Sequence, residues 1–330
     1  MKVLSVVDGT GWCGTKEQTY LITKGLAEKG FESHLALAYG YELMEHKLRS
    51  TPVKLHYFEK THNRFDPRNA YRLARIIKEN RFDAVVAHSS HALDYVLTAF
   101  AFLGRKLPLV ALRRSGFVPS FWSKHLKYRF ADRIVVVSKG VYELLKEKNF
   151  FPEKLVLIES GIDLTRFRPR PELRERVRAE LGLKENELML VNVANWQPWR
   201  KGQEVILKAL KRLQTKNFKA FFVGLGTDSE EARRTFARYG LADRCAGLGF
   251  RSDVEYLLQG ADLFLFGSFS EGIAGAVLQA MACGLVVVST DAGGIPSYLK
   301  DGYNGFLVKV GDWEGMARKI EQALSLPKEK

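Results

Sequence analysis

Short apolar runs alternate with amphipathic segments along the whole chain. The runs are rich in β-branched residues, whereas the segments between them repeat apolar residues at helical spacing, as segment 16–30 does before it ends at Gly30. This order is typical of parallel sheets with crossover helices. The predicted strands are 2–7, 33–37, 83–88, 107–112, 133–138, 154–160, 188–195, 219–224, 245–250, 262–266, 285–290 and 305–310.

One segment, 161–187, breaks the alternation with two prolines and a dense run of charges. Such a composition is typical of a connection between domains, and its charged residues are interpreted as a solvent-exposed helix face. We therefore predict two domains, 1–165 and 166–330. The predicted fold class is α/β, with two Rossmann-like doubly wound domains that face each other across a cleft. Ligands of such sheets bind beyond the carboxyl ends of the strands.

The composition, at 46% hydrophobic and 12% aromatic residues, is that of a globular protein. The sequence shows no long apolar window and no signal-peptide pattern, so a cytoplasmic protein is expected. Lys and Arg outnumber Asp and Glu by 51 to 37, which gives a formal charge of +14. A polyanionic partner is expected, and nucleic acid, anionic lipid and nucleoside diphosphates all remain open. The three cysteines form no C-x-x-C pair, and neither a disulfide framework nor a metal site is predicted.

The segment 266–290, FGSFSEGIAGAVLQAMACGLVVVST, runs from a loop through a small-residue helix into a strand. We expect the helix to begin near Ile273, where its free N–H groups and positive dipole end favour a phosphate. Glu271 is interpreted as an acceptor for sugar hydroxyls, because like charges would repel a phosphate. The alternative is that Glu271 is a first-turn acid that stabilises the helix dipole. Gln279 is either a ligand contact or an amide of the core.

Two cations and a glycine, Arg200, Lys201 and Gly202, precede another amphipathic helix. Cations at a helix N-terminus oppose the dipole, which favours a bound anion over a solvated helix start. Fixed cations at this position would stabilise the negative charge of a departing diphosphate.

The glycine-rich stretch GTGWCGTKEQ (9–18) follows the first strand and opens the first helix. Its glycines are predicted to bring backbone N–H groups toward a phosphate or an acceptor. It differs from the phosphate-binding loop of ATPases, because Thr15 and Lys16 stand in reversed order. His88 and His91 end another strand, and acceptor contact, strand-end structure and metal ligation all remain open for them.

Several motifs occur in the order and spacing of a known family. They are SGIDLTRFRP, RKG, FVGLG, LGFRSDVEYLLQGADLFLF and SEGIAGAVLQAMACGLVVVSTDAGGIPSYLKDGYNGFLV. Over most of its length the chain resembles the family 4 retaining glycosyltransferases of the GT-B fold. The resemblance implies that the C-terminal domain binds a nucleoside-diphosphate sugar and that the N-terminal domain binds the acceptor. It also implies transfer with retention of anomeric configuration, without a metal or a cofactor.

The resemblance also implies roles for individual residues. Glu271 matches the first glutamate of the family's E-x7-E motif, which touches the donor sugar, and Gln279 stands at the second, which binds the ribose. Lys201 matches the lysine that reaches the diphosphate, and Arg200 replaces an arginine usually found a few residues earlier. The remaining donor-binding positions are Gly14, Thr15, Asn195, Gly249, Phe250, Arg251, Gly272, Ile273 and Ala274. On the acceptor side are His88 and, at a strand end where the family carries a histidine, Arg113 and Arg114.

The stretch GFVPSFWSKHLKYRFADR (116–133) interleaves aromatic and basic residues. It is interpreted either as a segment that lies in an anionic membrane interface or as a helix whose aromatic face is domain core. Its aromatic and basic members are Phe117, Phe121, Trp122, Lys124, His125, Lys127, Tyr128, Arg129 and Phe130.

The predicted function is transfer of a sugar to a hydroxyl of a lipid-linked or lipopolysaccharide-type glycan by an enzyme attached peripherally to the inner face of the cell membrane. The alternative is a non-catalytic nucleotide-sugar-binding protein or subunit. A nucleic-acid partner is not expected, because nucleic-acid binding explains neither Glu271 nor the placement of RKG.

Overall fold

The structure is a computed structural model that describes residues 1–61, 63, 66–114, 118–215 and 217–326. The chain divides into two compact units, Met1–Gly161 and Ile162–Lys330. The sequence places this boundary after residue 165, whereas the structure places it after Gly161. Phe117 of the predicted interfacial stretch lies outside the described residues.

The described residues of the first unit form a seven-stranded parallel sheet in the order β3-β2-β1-β4-β5-β6-β7. Its strands are β1 (Lys2–Val6), β2 (Glu32–Ala38), β3 (Lys54–Glu59), β4 (Ala84–Ala87), β5 (Leu109–Arg113), β6 (Arg133–Val136) and β7 (Leu155–Leu157). Its helices are α1 (Gly14–Glu28), α2 (Glu42–Leu48), α3 (Pro67–Asn80), α4 (Ser90–Leu103), α5 (Phe121–Leu126) and α6 (Lys139–Glu147). The strand order reverses beside β1, as in a doubly wound fold.

The described residues of the second unit form a six-stranded parallel sheet in the order β10-β9-β8-β11-β12-β13. Its strands are β8 (Leu188–Val193), β9 (Phe218–Val223), β10 (Cys245–Gly247), β11 (Leu263–Phe266), β12 (Val287–Thr290) and β13 (Phe306–Val308). Its helices are α7 (Arg174–Glu180), α8 (Pro198–Lys201), α9 (Gln203–Arg212), α10 (Glu230–Arg238), α11 (Val254–Leu257), α12 (Gly275–Ala282) and α13 (Trp313–Leu324). Here the order reverses beside β8.

Both faces of the second sheet are covered by apolar side chains. Leu263 and Leu265 of β11 belong to a cluster that includes α9 and α13, whereas Phe264 and Phe266 belong to a second cluster that includes α12. Alternate residues of one strand therefore enter two cores, which explains why the strand is apolar without interruption. The predicted α/β fold class is confirmed.

The structure adds one strand to the sequence prediction and shifts one helix. β3 carries His56 and Glu59 among its apolar residues, and as the edge strand of its sheet it lacks the continuous apolar run of a central strand. The helix expected to start near Ile273 begins at Gly275, with Ala274 as its N-cap residue.

The charge run between the predicted domains is only partly a solvent-exposed face, and the interpretation of it as such is wrong for two arginines. The Arg174 and Arg178 guanidinium groups lie 2.7 and 3.1 Å from the carboxylate oxygens of Asp262. The same carboxylate accepts a hydrogen bond from the Met189 N–H at 2.8 Å. The buried carboxylate therefore fastens α7 to the starts of β8 and β11.

Within the described residues, no helix combines the length and the apolar character needed to cross a lipid bilayer.

Replacing Asp262 by Asn should destabilise the second unit. Arg178 is buried, and loss of its carboxylate partner would leave an uncompensated charge, which costs about 3–5 kcal/mol in the free energy of unfolding. Urea unfolding followed by circular dichroism measures the change. The matched control is Asp243→Asn, because the Asp243 side chain is 78% exposed beside Arg244 and its exposed ion pair contributes less than about 1 kcal/mol. Equal unfolding midpoints for the two variants would contradict the assignment.

Candidate functional site

The two chemistry-bearing loops of the second unit meet where its strand order reverses. β8 and β11 are hydrogen-bonded neighbours, and both strands run in the same direction. The loop after β8 contains Lys201 and the loop after β11 contains Glu271. Because ligands of doubly wound sheets bind at such a reversal, beyond the carboxyl ends of the strands, these loops form the candidate site of this unit.

An ion pair joins the two loops. The Lys201 ammonium lies 2.6 Å from Oε1 of Glu271, and the same oxygen accepts a hydrogen bond from the Ser268 hydroxyl at 2.7 Å. Both side chains are largely withdrawn from solvent, with 19% of Lys201 and 9% of Glu271 exposed. The structure thus brings together two of the three residues that the sequence predicted to be catalytic.

Close backbone approach fixes this geometry. A Cβ atom on Gly202 would lie 1.8 Å from the Gly267 carbonyl oxygen, and one on Gly267 would lie 2.5 Å from that of Gly202. Likewise, a Cβ atom on Gly293 would lie 1.7 Å from the Glu271 carbonyl oxygen. Gly202 and Gly293 also have positive φ angles, of 63° and 55°, which favour glycine. The sequence analysis missed Gly267 and Gly293, although the paired glycines of DAGG were a signal of a close approach.

The dipole argument for Arg200 and Lys201 is wrong. Both residues lie in the last turn of α8, where cations are favourable to the helix dipole, and Gly202 separates them from α9. The Arg200 side chain is exposed, while its carbonyl oxygen accepts hydrogen bonds from the Phe269 N–H at 2.9 Å and from the Ser268 hydroxyl at 3.2 Å. The backbone of Arg200 therefore supports the loop that carries Glu271.

The interpretation of Glu271 as a first-turn acid is also wrong. Glu271 precedes the N-cap residue of α12, and the first turn of that helix contains no acidic residue. The Ala274 N–H lies 3.3 Å from the hydroxyl of Tyr298, and burial raises the pKa of that hydroxyl. Tyr298 was not predicted from the sequence, and it anchors the start of the helix next to the predicted donor segment, Gly272 to Ala274.

The Gln279 side chain lies on α12 and is partly exposed. Its amide makes no hydrogen bond to another described residue. The interpretation as an amide satisfied within the core is therefore not supported, and the group is available to a ligand.

Other predicted donor positions have structural duties in the second unit. Asn195 Oδ1 accepts a hydrogen bond from the Leu225 N–H at 3.1 Å, which joins the loops after β8 and β9. The Gly249 N–H donates to the Thr227 hydroxyl at 3.0 Å, and its carbonyl accepts from the Gly224 N–H at 2.8 Å.

The side chains that follow Gly249 differ in how far they are occupied. Two nitrogens of Arg251 lie 2.8 Å from the two carboxylate oxygens of Asp253, so this guanidinium is already engaged. The half-buried Phe250 carries no charge and remains the candidate contact for a base.

In the first unit, the glycine-rich loop leads directly into α1. Gly14 and Thr15 are its first two residues, and the N-cap residue Cys13 provides no side-chain hydrogen bond to them. Lys16 is buried, with its ammonium donating to the carbonyl oxygen of Asp8. The sequence analysis used Lys16 only to exclude an ATPase loop and missed its burial.

The three residues predicted for the acceptor side are brought together at the ends of β4 and β5. His88 is fully buried; its Nε2 lies 3.1 Å from the Ser5 hydroxyl and its Nδ1 lies 3.5 Å from Nη2 of Arg114. Burial, followed by the charges of Arg114 and Lys16, holds the pKa of His88 well below its usual value. His88 therefore supports Arg114 from behind, and Arg113 is also buried.

His91 is half-exposed beside Asp8, with Nδ1 3.5 Å from a carboxylate oxygen. Among the described residues, no three His, Cys, Asp or Glu side chains cluster as metal ligands would.

Two family models match the chain. Glycosyltransferase Family 4 matches residues 13–166, and Glycosyl transferases group 1 matches residues 174–330. The two matches follow the two compact units closely.

Curated relatives match over different shares of their length. The chain is 25% identical to N-acetyl-alpha-D-glucosaminyl L-malate synthase of Bacillus anthracis, over 98% of this chain and 85% of that protein. It is also 25% identical to N,N'-diacetylbacillosaminyl-diphospho-undecaprenol alpha-1,3-N-acetylgalactosaminyltransferase of Campylobacter jejuni, over 84% of this chain and 78% of that protein. Its identity to EpsD of Bacillus subtilis is 32%, but the match covers 51% of this chain and spans only 44% of the length of that relative.

Solved structures share the fold. Anabaena HepE in complex with UDP and glucose superposes with a TM-score of 0.84 at 22% identity, over 98% of this chain and 90% of that one. WaaG, a glycosyltransferase involved in lipopolysaccharide biosynthesis, superposes with a TM-score of 0.73 at 19% identity, over 99% and 91%. These likenesses confirm the predicted GT-B fold class. The chain therefore belongs to the glycosyltransferases, a family of enzymes, with a Glycosyltransferase Family 4 region in its first unit and a Glycosyl transferases group 1 region in its second.

Proposed function

We propose that the protein moves a sugar, with retention of anomeric configuration, from a nucleoside-diphosphate sugar to a hydroxyl of a lipid-linked or lipopolysaccharide-type glycan. The ion pair of Lys201 and Glu271 at the strand reversal of the second unit is the observation that carries this proposal. Membership in a family of enzymes favours transfer over the alternative of a non-catalytic nucleotide-sugar-binding subunit.

In this proposal the ion pair separates when the donor binds. The Lys201 ammonium turns to an oxygen of the diphosphate, and the Glu271 carboxylate accepts a hydrogen bond from a sugar hydroxyl. The Ser268 hydroxyl, 2.7 Å from Glu271 Oε1, keeps the carboxylate in place while its cation moves. The exchange conserves charge pairing, because the cation passes from one anion to another and the carboxylate receives a neutral donor.

The proposed reaction needs no metal ion and no cofactor beyond the donor. The glycosidic C–O bond breaks and its electron pair moves to the diphosphate, while the acceptor oxygen bonds to the anomeric carbon on the same face. The acceptor proton passes to an oxygen of the leaving phosphate. Lys201 and the first amides of α12 would stabilise the charge that develops on this leaving group. The exposed Arg200 is proposed to assist, as is the Gln279 amide by contact with the ribose.

Two observations support the proposed substrates. The HepE structure contains UDP and glucose, which supports a nucleoside-diphosphate donor. The Campylobacter jejuni relative and an Escherichia coli relative, UDP-Gal:alpha-D-GlcNAc-diphosphoundecaprenol alpha-1,3-galactosyltransferase, are named for acceptors linked to diphospho-undecaprenol. A lipid-linked acceptor would lie at a membrane surface.

We further propose peripheral attachment to an anionic membrane through α5. No residue of this helix is buried, and 67% of Phe121, 69% of Trp122 and 61% of Leu126 are exposed. The interpretation of this helix as domain core is therefore wrong. Lys127 pairs with Asp94 at 2.7 Å, so the attraction to anionic lipid would come from the overall charge of +14 and the apolar contact from these side chains. We propose no nucleic-acid partner.

Removing the Lys201 ammonium should weaken nucleotide binding. Isothermal titration calorimetry with UDP, GDP, ADP and CMP and their common sugar conjugates should find one nucleotide that binds, and Lys201→Ala should weaken it at least about tenfold, or 1.4 kcal/mol. Glu271→Gln should leave the free nucleoside diphosphate bound but weaken the sugar conjugate. The matched control is Lys208→Ala, an exposed lysine of α9. The proposal fails if no nucleotide binds at millimolar concentration, or if the two lysine variants behave alike.

Trp122 should govern membrane binding. Phe121→Ala combined with Trp122→Ala should lower partitioning onto phosphatidylglycerol vesicles at least about tenfold, because two large apolar side chains no longer enter the interface. Cosedimentation measures the bound fraction, which should also fall with added salt. Trp199→Ala is the matched control, since that tryptophan is 78% exposed in the other unit. An equal loss with Trp199→Ala, or binding insensitive to all three substitutions, would refute this surface.

A further inference from the structure

Arg114, which follows β5, is a buried cation without a counter-ion among the described residues. Its Nη2 lies 3.5 Å from Nδ1 of His88, at the limit of a hydrogen bond. Its Nε atom is shielded from solvent and has no hydrogen-bond partner. Burial lowers the pKa of this guanidinium to about 10, so it remains charged at neutral pH.

The neighbouring histidine cannot offset this charge. A guanidinium only donates hydrogen bonds, so Nδ1 of His88 must present its lone pair to Arg114. Nε2 then carries the proton and donates to the Ser5 hydroxyl at 3.1 Å. His88 is thus neutral and serves as a rest for the guanidinium, in agreement with the strong lowering of its pKa by burial.

Lys16 is a second buried cation near the same histidine, and its charge acts on the His88 pKa together with that of Arg114. Its ammonium donates to the carbonyl oxygen of Asp8, which carries no formal charge. The carboxylate of Asp8 accepts from the Ser89 hydroxyl and approaches His91 at 3.5 Å. Neither buried cation therefore forms an ion pair with a carboxylate in the described part of the chain.

The first amides of α1 lie at the same end of the sheet. Cys13, the N-cap residue of this fifteen-residue helix, gives no side-chain cap, and it lies close enough to Arg114 for its charge to act on the Arg114 pKa after burial. β1 and β4 are the strands at which the order of the sheet reverses, and α1 follows β1 while His88 follows β4. Helix N-terminus and buried cation thus occur together where doubly wound sheets bind ligands.

A buried charge is costly unless an opposite charge accompanies it, so an arrangement with two such cations and a free helix start is suited to an anion. We propose that Arg114, Lys16 and the first amides of α1 bind a phosphate-type anionic group carried by the acceptor. This inference rests on the proposed function, because it assigns a chemical class to the acceptor of that reaction. The diphosphate of the donor is the other source of the same chemistry, and the experiment separates the two.

The test is a thermal-shift titration with inorganic phosphate at constant ionic strength, on protein already saturated with the nucleoside diphosphate that binds. Wild-type protein should be stabilised by phosphate, and Arg114→Gln should raise the apparent dissociation constant at least tenfold, with Arg114→Lys intermediate. The matched control is Arg105→Gln, because Arg105 is exposed and precedes β5 whereas Arg114 follows it.

A second readout separates a binding residue from a structural one. Without phosphate, Arg114→Gln should melt at the same temperature as the wild type or higher, since it removes an uncompensated buried charge. A lower melting temperature together with unchanged phosphate affinity would make Arg114 structural and overturn the inference.

The remaining outcomes distinguish this inference from the proposed function. If the nucleotide binds and phosphate affinity is the same in all variants, the inference falls and the proposed function stands. If phosphate displaces the nucleotide rather than binding beside it, the anion belongs to the donor and the acceptor assignment falls. If no nucleoside diphosphate binds, the proposed function falls and this inference falls with it.

Discussion

The close approach of backbone segments around Gly202, Gly267 and Gly293 is the constraint on which the site of the second unit depends. A side chain at any of these positions would place a carbon atom within 2.5 Å of a carbonyl oxygen of a neighbouring loop. Only glycine permits the loops after β8 and β11 to come this close. Their contact in turn puts the Lys201 ammonium against the Glu271 carboxylate at 2.6 Å.

The two units hold their charges in opposite ways. In the second unit, Lys201 and Glu271 neutralise each other in a partly buried site, so a donor has to exchange partners with the pair rather than fill an empty charge. In the first unit, Arg114 and Lys16 are buried without a carboxylate of their own among the described residues. The first arrangement suits a ligand that combines an anion with hydroxyl groups, and the second suits an anion alone.

Much of the fold was predictable because parallel strands buried on both faces read as unbroken apolar runs, as β11 does. β3 was missed because an edge strand tolerates polar residues such as His56 and Glu59. In the site, order and spacing identified Glu271 and Lys201, but sequence does not reveal which partner a charge finds. Arg178 bonds to Asp262, Arg251 bonds to Asp253 and His88 lies behind Arg114, and each of these outcomes depends on tertiary contacts.

The central claim is that the pair of Lys201 and Glu271 is a donor site that opens when a nucleotide sugar binds. A crystal structure of the protein with its nucleoside-diphosphate sugar tests this claim most directly. We expect the Lys201 ammonium about 3 Å from a diphosphate oxygen and the Glu271 carboxylate within hydrogen-bond distance of a sugar hydroxyl. A nucleotide sugar bound elsewhere, with Lys201 and Glu271 still paired, would contradict the account.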